Sequence, residues 1–182
     1  YDRALVKHVF IDDNSSDETF ELVTKWMKDH PNHNLMYIRN DVQVGGTQNT
    51  LHGFKMAPQG TIVIELNGDD WLPNDNVIPF LNKVYADENV WMTYNSYCYA
   101  DDRRNRKEPV MLYPVPGHII ETNGIREYLW MTRHLHTFRM ELLDHLDEQV
   151  FIDPATGKFW ESADDQAIYL SMFELAGKHA RH

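Results

Sequence analysis

Residues 5–11 are largely apolar and stop abruptly at Asp12 and Asp13. A short apolar run closed by turn residues reads as a buried strand. Asn14, Ser15 and Ser16 follow, and Ser15 with Glu18 has the spacing of a capping box. Phe20, Leu22, Val23 and Trp26 then recur as one face of a helix that ends near Pro31. Residues 35–38 predict a second short strand, and Gly45-Gly46 opens a helical stretch to Met56, closed by Pro58 and Gly60. Residues 61–66 are nearly all apolar, as parallel strands covered on both faces are. Further on, 77–85 reads as helix, 90–99 as strand, 125–130 and 138–146 as helical spacing, and 162–176 as an amphipathic helix. Residues 101–124 form a charged, proline-bearing connection to which the pattern assigns no element.

Strands and helices alternating at this spacing predict an α/β sheet, parallel at least through its first three strands. Ligands in such sheets lie beyond the carboxyl ends of the strands. Two predicted strands end in acidic turns, Asp12-Asp13 and Asn67-Gly68-Asp69-Asp70, which are therefore expected on one edge of the sheet. There is no internal repeat or linker composition, so residues 1–182 read as one domain. The chain opens on Tyr1 and enters an apolar run almost at once, which reads as a fragment.

Composition narrows the function. The 182 residues suffice for a substantial core, and 42% hydrophobic with 25% charged residues is ordinary for a globular domain. The formal net charge of -11 is the wrong sign for gripping a nucleic-acid backbone, so no nucleic-acid partner is expected. A nucleotide ligand remains compatible, because a metal ion can supply the positive charge locally. Cys98 is the single cysteine, which excludes an intrachain disulfide and reads as a small packed hydrophobe rather than a nucleophile. No signal peptide and no apolar run of membrane-spanning length stands out. The reading is therefore cytoplasmic, with the inner membrane face compatible.

Three segments carry chemistry. In Val63–Trp71, carboxylates placed straight after a strand are hard oxygen ligands suited to Mg²⁺ or Mn²⁺; the bland alternative is a solvated acidic turn. In Phe10–Thr19, a calcium loop starting at Asp12 would need Gly at its sixth position and Glu at its twelfth, where Asp17 and Val23 stand. A strand followed by a capped helix explains Ser15 and Glu18 but not two adjacent carboxylates at the strand end. Arg39-Asn40 with Gly45-Gly46-Thr47-Gln48-Asn49 is neither a dinucleotide fingerprint nor a P-loop, yet its backbone N–H groups could approach a phosphate or base.

The order of these segments, FIDDNSSDET, then an Asn and GG-x2-N, then Gly60 and a strand ending NGDDWLP, resembles the inverting family 2 glycosyltransferases of the GT-A fold. The resemblance is strong over residues 7–76 and weaker over 160–177. It implies a Rossmann-like, mostly parallel central sheet with helices on both faces and a smaller antiparallel portion. It implies transfer of a sugar from a nucleotide-sugar donor, of the UDP type, to the hydroxyl of a glycan or other acceptor, with Mn²⁺ or Mg²⁺ as cofactor. By the same resemblance Asp13 partners the donor's base, Asp12 shapes that pocket, and Asn49 and Asn67 belong to the nucleotide site. Asp69 takes the metal-binding position, and Asn67 stands where the family usually carries Asp.

The family's usual first strand and C-terminal continuation have no counterpart here, and the Q-x-x-R-W element of processive synthases is missing, which favours single addition. Phe159 to Gln166 resembles the family's E-D element, making Asp165, with Asp164 beside it, the general-base candidate. Ser162 with Asp165 equally fits a capping box. His134 is a weaker, acceptor-side candidate, and His179 and His182 are distant metal candidates. Two other readings stay open: a non-catalytic nucleotide- or sugar-binding domain, and a sugar nucleotidyltransferase, whose glycine-rich opening loop this chain lacks.

Overall fold

The computed structural model describes residues 5–98, 113–130 and 135–182. These fall into two compact units, one from residues 1–56 and 151–162, the other from 57–150 and 163–182.

In the first unit, β1 (His8–Asp12) pairs in parallel with β2 (Leu35–Arg39), from His8 opposite Leu35 to Asp12 opposite Arg39. Helix α1 (Thr19–Asp29) joins them. Its start departs from the expected capping box. Neither Ser15 nor Glu18 caps with its side chain; Asp17 Oδ1 instead accepts from the Thr19 N–H and hydroxyl at 3.0 and 2.6 Å. The Ser15 N–H is already spent on Asp12 Oδ1, so Glu18 has no free N–H there for the reciprocal half of the box, and the N-cap position falls on Glu18 itself. Helix α2 (Gly46–Lys55) buries Thr47, Leu51 and Phe54, and the Thr47 hydroxyl donates to the Trp160 carbonyl at 2.6 Å. The hairpin of β6 (Ile152–Asp153) and β7 (Lys158–Phe159) completes the unit.

The second unit holds a four-stranded sheet ordered β3 (Ile62–Glu65), β5 (His136–Arg139), β4 (Met92–Thr93), β8 (Ala180–Arg181). β5 runs antiparallel to both neighbours, and β4 and β8 are parallel. The expectation that residues 61–66 pair as a parallel strand is thus corrected: the ladder of β3 is antiparallel, and its residues are half-buried. An apolar run signals burial but does not encode strand direction.

Residues 138–146 are corrected too. Phe138 belongs to β5, and only Met140–His145 coil, as a 3₁₀ turn. Of the strand expected over 90–99, whose last residue lies outside the described residues, Met92–Thr93 forms the strand β4. Cys98 is exposed rather than packed.

Period-two alternation sorts the sheet's faces. Ile62 and Ile64 pack against Leu81, Tyr85 and Val90, beside helix α3 (Val77–Val84). A buried hydroxyl chain runs from Tyr85 to Thr137 to Thr93, each step 2.7 Å. Helix α5 (Asp164–Ala176) buries Ile168, Tyr169, Met172, Phe173 and Ala176, a stripe at helical spacing. Each large side chain in that stripe contributes roughly 1.5–3 kcal/mol by burial. A short helix α4 (Gly117–Glu121) lies in the same unit.

Candidate functional site

The carboxyl end of β1 places Asp12 and Asp13 side by side with opposite fates. Asp12 is 2% exposed: Oδ1 accepts the Ser15 N–H at 2.8 Å, Oδ2 the Tyr37 hydroxyl at 2.5 Å, and the Arg39 guanidinium lies 3.6 Å away. Burial pushes its carboxyl up, but these hydrogen bonds and Arg39 outweigh it and hold the group below the usual range. Burial and Asp12 together raise the Tyr37 phenol to about 12. Asp12 is therefore committed to its own unit.

Asp13 points at the loop before α2. Its Oδ1 accepts from Asn40 Nδ2 and the Val44 N–H at 2.7 and 2.9 Å, and its Oδ2 from the Gly45 N–H at 2.8 Å. Burial opposes ionisation there too, yet the donors at Val44, Asn40, Asn49 and Gly45 bring the carboxyl to about 2. Asn40 Nδ2 also reaches Asn49 Oδ1 at 2.9 Å, so Asp13, Asn40 and Asn49 form one network. Gly45 sits at φ +94°, a conformation open to glycine and strained for other residues. The two segments singled out from sequence, Asp12-Asp13 and Asn40 to Asn49, thus converge.

In the second unit, β3 runs into a turn in which the Asp70 N–H bonds the Asn67 carbonyl at 3.0 Å. Asn67, Asp69 and Asp70 are exposed. Among the described residues the Asp69 carboxylate has no hydrogen-bond partner, and no group of three or more His, Cys, Asp or Glu side chains could cage a metal ion. One outward carboxylate with an amide two residues away suits a divalent ion that takes its remaining ligands from a diphosphate and water.

Asp164 and Asp165 form the first turn of α5, both half-buried. The capping-box alternative does not hold: the N-cap is Ala163, at φ 59° and ψ 22°, with no side-chain cap, and Asp165 Oδ1 accepts the neighbouring Gln166 N–H. His134 lies outside the described residues. Its neighbour His136 is wholly buried, so that half of the H-x-H motif faces no acceptor. His179 bonds the Asn89 carbonyl and stacks on Trp91 at 4.1 Å, and His182 packs against Tyr94.

The sequence reading missed a buried cluster. Glu65 lies opposite His136 in the β3–β5 ladder, the Tyr169 hydroxyl donates to Glu65 Oε2, and the Tyr169 ring stacks on His136 at 3.5 Å. Burial, then the Glu65 charge, pushes the Tyr169 phenol well above its ordinary range. The available signal was Glu65 itself, an acid inside an apolar strand.

Mixed parallel and antiparallel sheets with carboxylates at strand ends fit a GT-A fold. Residues 3–147 match the family described as Glycosyl transferase family 2, and the chain belongs to that family. No curated protein sequence matches it significantly. Among solved structures it is similar to S. aureus TarS (19% identity, TM-score 0.65, covering 98% of this chain and 29% of that one). It is also similar to the mannosyltransferase PcManGT from Pyrobaculum calidifontis, in complex with GDP-Man and Mn²⁺ (21%, 0.54, 80% and 38%). A third is GalNAc-T7 with UDP, GalNAc and Mn²⁺ (14%, 0.52, 93% and 34%). The chain spans less than half the length of each of these.

Proposed function

We propose that this chain transfers a sugar from a nucleoside-diphosphate sugar, of the UDP type, to an acceptor hydroxyl with inversion and single addition. The observation that carries the proposal is Asp69, an exposed carboxylate with no hydrogen-bond partner among the described residues, in the turn that leaves β3. Asp69 would hold Mn²⁺ or Mg²⁺, with Asn67 bonding a metal-bound water or the donor's ribose. The ion supplies Lewis-acid stabilisation of the departing diphosphate. Two solved relatives by fold carry Mn²⁺ with GDP-Man or UDP, which supports this class of donor.

Asp13 and Asn49 take the donor's base, using lone pairs left over from their network, while Asp12 keeps the pocket's shape. In the transfer the acceptor oxygen attacks the anomeric carbon as the bond from that carbon to the phosphate oxygen breaks. The hydroxyl proton passes to a carboxylate, assigned here to Asp165 with Asp164 as the neighbouring candidate. Asp165 Oδ1 accepts the Gln166 N–H in the first turn of α5, which holds the side chain in place.

A binding-only reading draws on Asn67, which leaves the turn one carboxylate short. Incubating the chain with a panel of UDP- and GDP-sugars, with and without Mn²⁺, separates the two. Metal-dependent release of nucleoside diphosphate and a product of inverted anomeric configuration support transfer. Saturable binding with no release across the panel would leave the binding reading standing.

A further inference from the structure

Asp165 and Tyr169 are four residues apart on α5, so they share one face about 6 Å apart along the axis. Asp164 and Asp165 both act electrostatically on Tyr169, which places all three in one neighbourhood. Glu65 is the last residue of β3, and Asn67 follows within about 7 Å of chain. One part-buried hydrogen bond, Tyr169 to Glu65, therefore ties the helix whose first turn carries Asp164 and Asp165 to the strand that leads into the turn of Asn67 and Asp69. The ring of Tyr169 lies flat on His136, itself fixed opposite Glu65 in the ladder, which aims the hydroxyl at the Glu65 carboxylate.

Elsewhere the helix start is weakly held. Its N-cap is a left-handed alanine, and no side chain caps it. An apolar stripe fixes the depth of a helix better than its position along its axis; a directed hydrogen bond fixes both.

We infer that the Tyr169–Glu65 hydrogen bond is a positioning device for the catalytic carboxylate, setting where the first turn of α5 stands relative to the turn beyond β3. The inference rests on the transferase reading for its consequence, though not for its geometry. β3 is anchored by its ladder with β5, and the second half of α5 by the hydrogen bonds of Arg126 to Ser171 and Glu174, so the first turn of α5 is what shifts when the bond is lost.

Tyr169→Phe removes the hydroxyl and keeps the ring stack. Tyr94→Phe is its control, since Tyr94 is also buried, also packs on α5 through Phe173, and also makes one hydroxyl hydrogen bond, from the Val115 N–H. Tyr169→Phe should lower kcat at least tenfold while KM for the donor and Mn²⁺-dependent nucleotide binding stay within twofold. Tyr94→Phe, of similar thermal stability, should keep kcat within twofold. Amide exchange at residues 166–168 should accelerate at least tenfold in Tyr169→Phe and not in Tyr94→Phe.

That exchange readout needs no turnover. If the wild-type chain releases no nucleotide from any sugar donor, the transferase reading falls, while the strut is still decided by exchange. Unchanged exchange in Tyr169→Phe overturns the inference, and so does a uniform loss of kcat, nucleotide affinity and stability in both variants.

Discussion

Asp69 and Asp13 show how differently two carboxylates at strand ends can be used. Asp69 is exposed and makes no hydrogen bond among the described residues, so Asp69→Ala should leave thermal stability within about 0.5 kcal/mol. The same change should abolish Mn²⁺-dependent binding of UDP or GDP, measured by calorimetry. Asn67→Asp adds a carboxylate to the same turn and should tighten Mn²⁺ binding; weaker binding would give Asn67 another role. Asp13 is the reverse case, since its ionised form holds the Val44-Gly45 loop through N–H donors. Removing a charge-assisted hydrogen bond costs roughly 1.5–3 kcal/mol, so Asp13→Ala should weaken nucleotide binding about tenfold or more. Its folded pKa of about 2 lies below the ordinary 3.8. The stabilisation is therefore complete above pH about 4 and fades as pH falls toward 2. A melting series over that window should show a shallower acid slope for the variant than for the wild type.

Among the elements, α5 is where sequence and structure part most instructively. Its existence and buried stripe were legible from apolar spacing, and its start was not. Ser162 and Asp165 have capping spacing, yet the backbone turns left-handed at Ala163 and neither side chain caps. A left-handed residue other than glycine costs on the order of 1 kcal/mol, and such strain gathers at functional sites. Ala163→Gly relieves it at some cost in unfolded-chain entropy, so its melting temperature should equal or exceed the wild type's. Asp165→Asn keeps the acceptor for the Gln166 N–H and should cost little stability, but cut turnover by about 10²–10⁴-fold with donor affinity nearly unchanged. A dead Asp164→Asn beside an active Asp165→Asn would move the base by one residue. β3 failed differently: its burial was readable, but its antiparallel partner, β5, runs at Phe138 and Arg139 into a segment whose spacing mimicked a helix. Glu65 went unremarked because its partners, His136 and Tyr169, are distant in sequence, and only folding brings them together.

At the scale of the whole molecule, the proposed function places the metal on Asp69 and the donor's diphosphate together, so metal and nucleotide are expected to bind as a pair. Mn²⁺ alone should barely move the melting temperature, whereas Mn²⁺ with UDP or GDP at a hundred times its Kd should stabilise by about 2.7 kcal/mol. EDTA should cancel that gain and the turnover together without unfolding the chain. The three glycosyltransferase motifs were legible because they are local runs of residues; the grouping into two units was not, since each unit draws on separated stretches of chain. That arrangement also governs how fast the molecule can form. Ile62 pairs with Arg139, and Met92 with Ala180, so every ladder of the second unit closes a long loop before any contact rewards it. The first unit likewise waits for residues 151–162. With few local pairings to nucleate on, folding belongs in the millisecond-to-second regime of non-local topologies, and half-made chains spend that interval with their sheet edges open to one another.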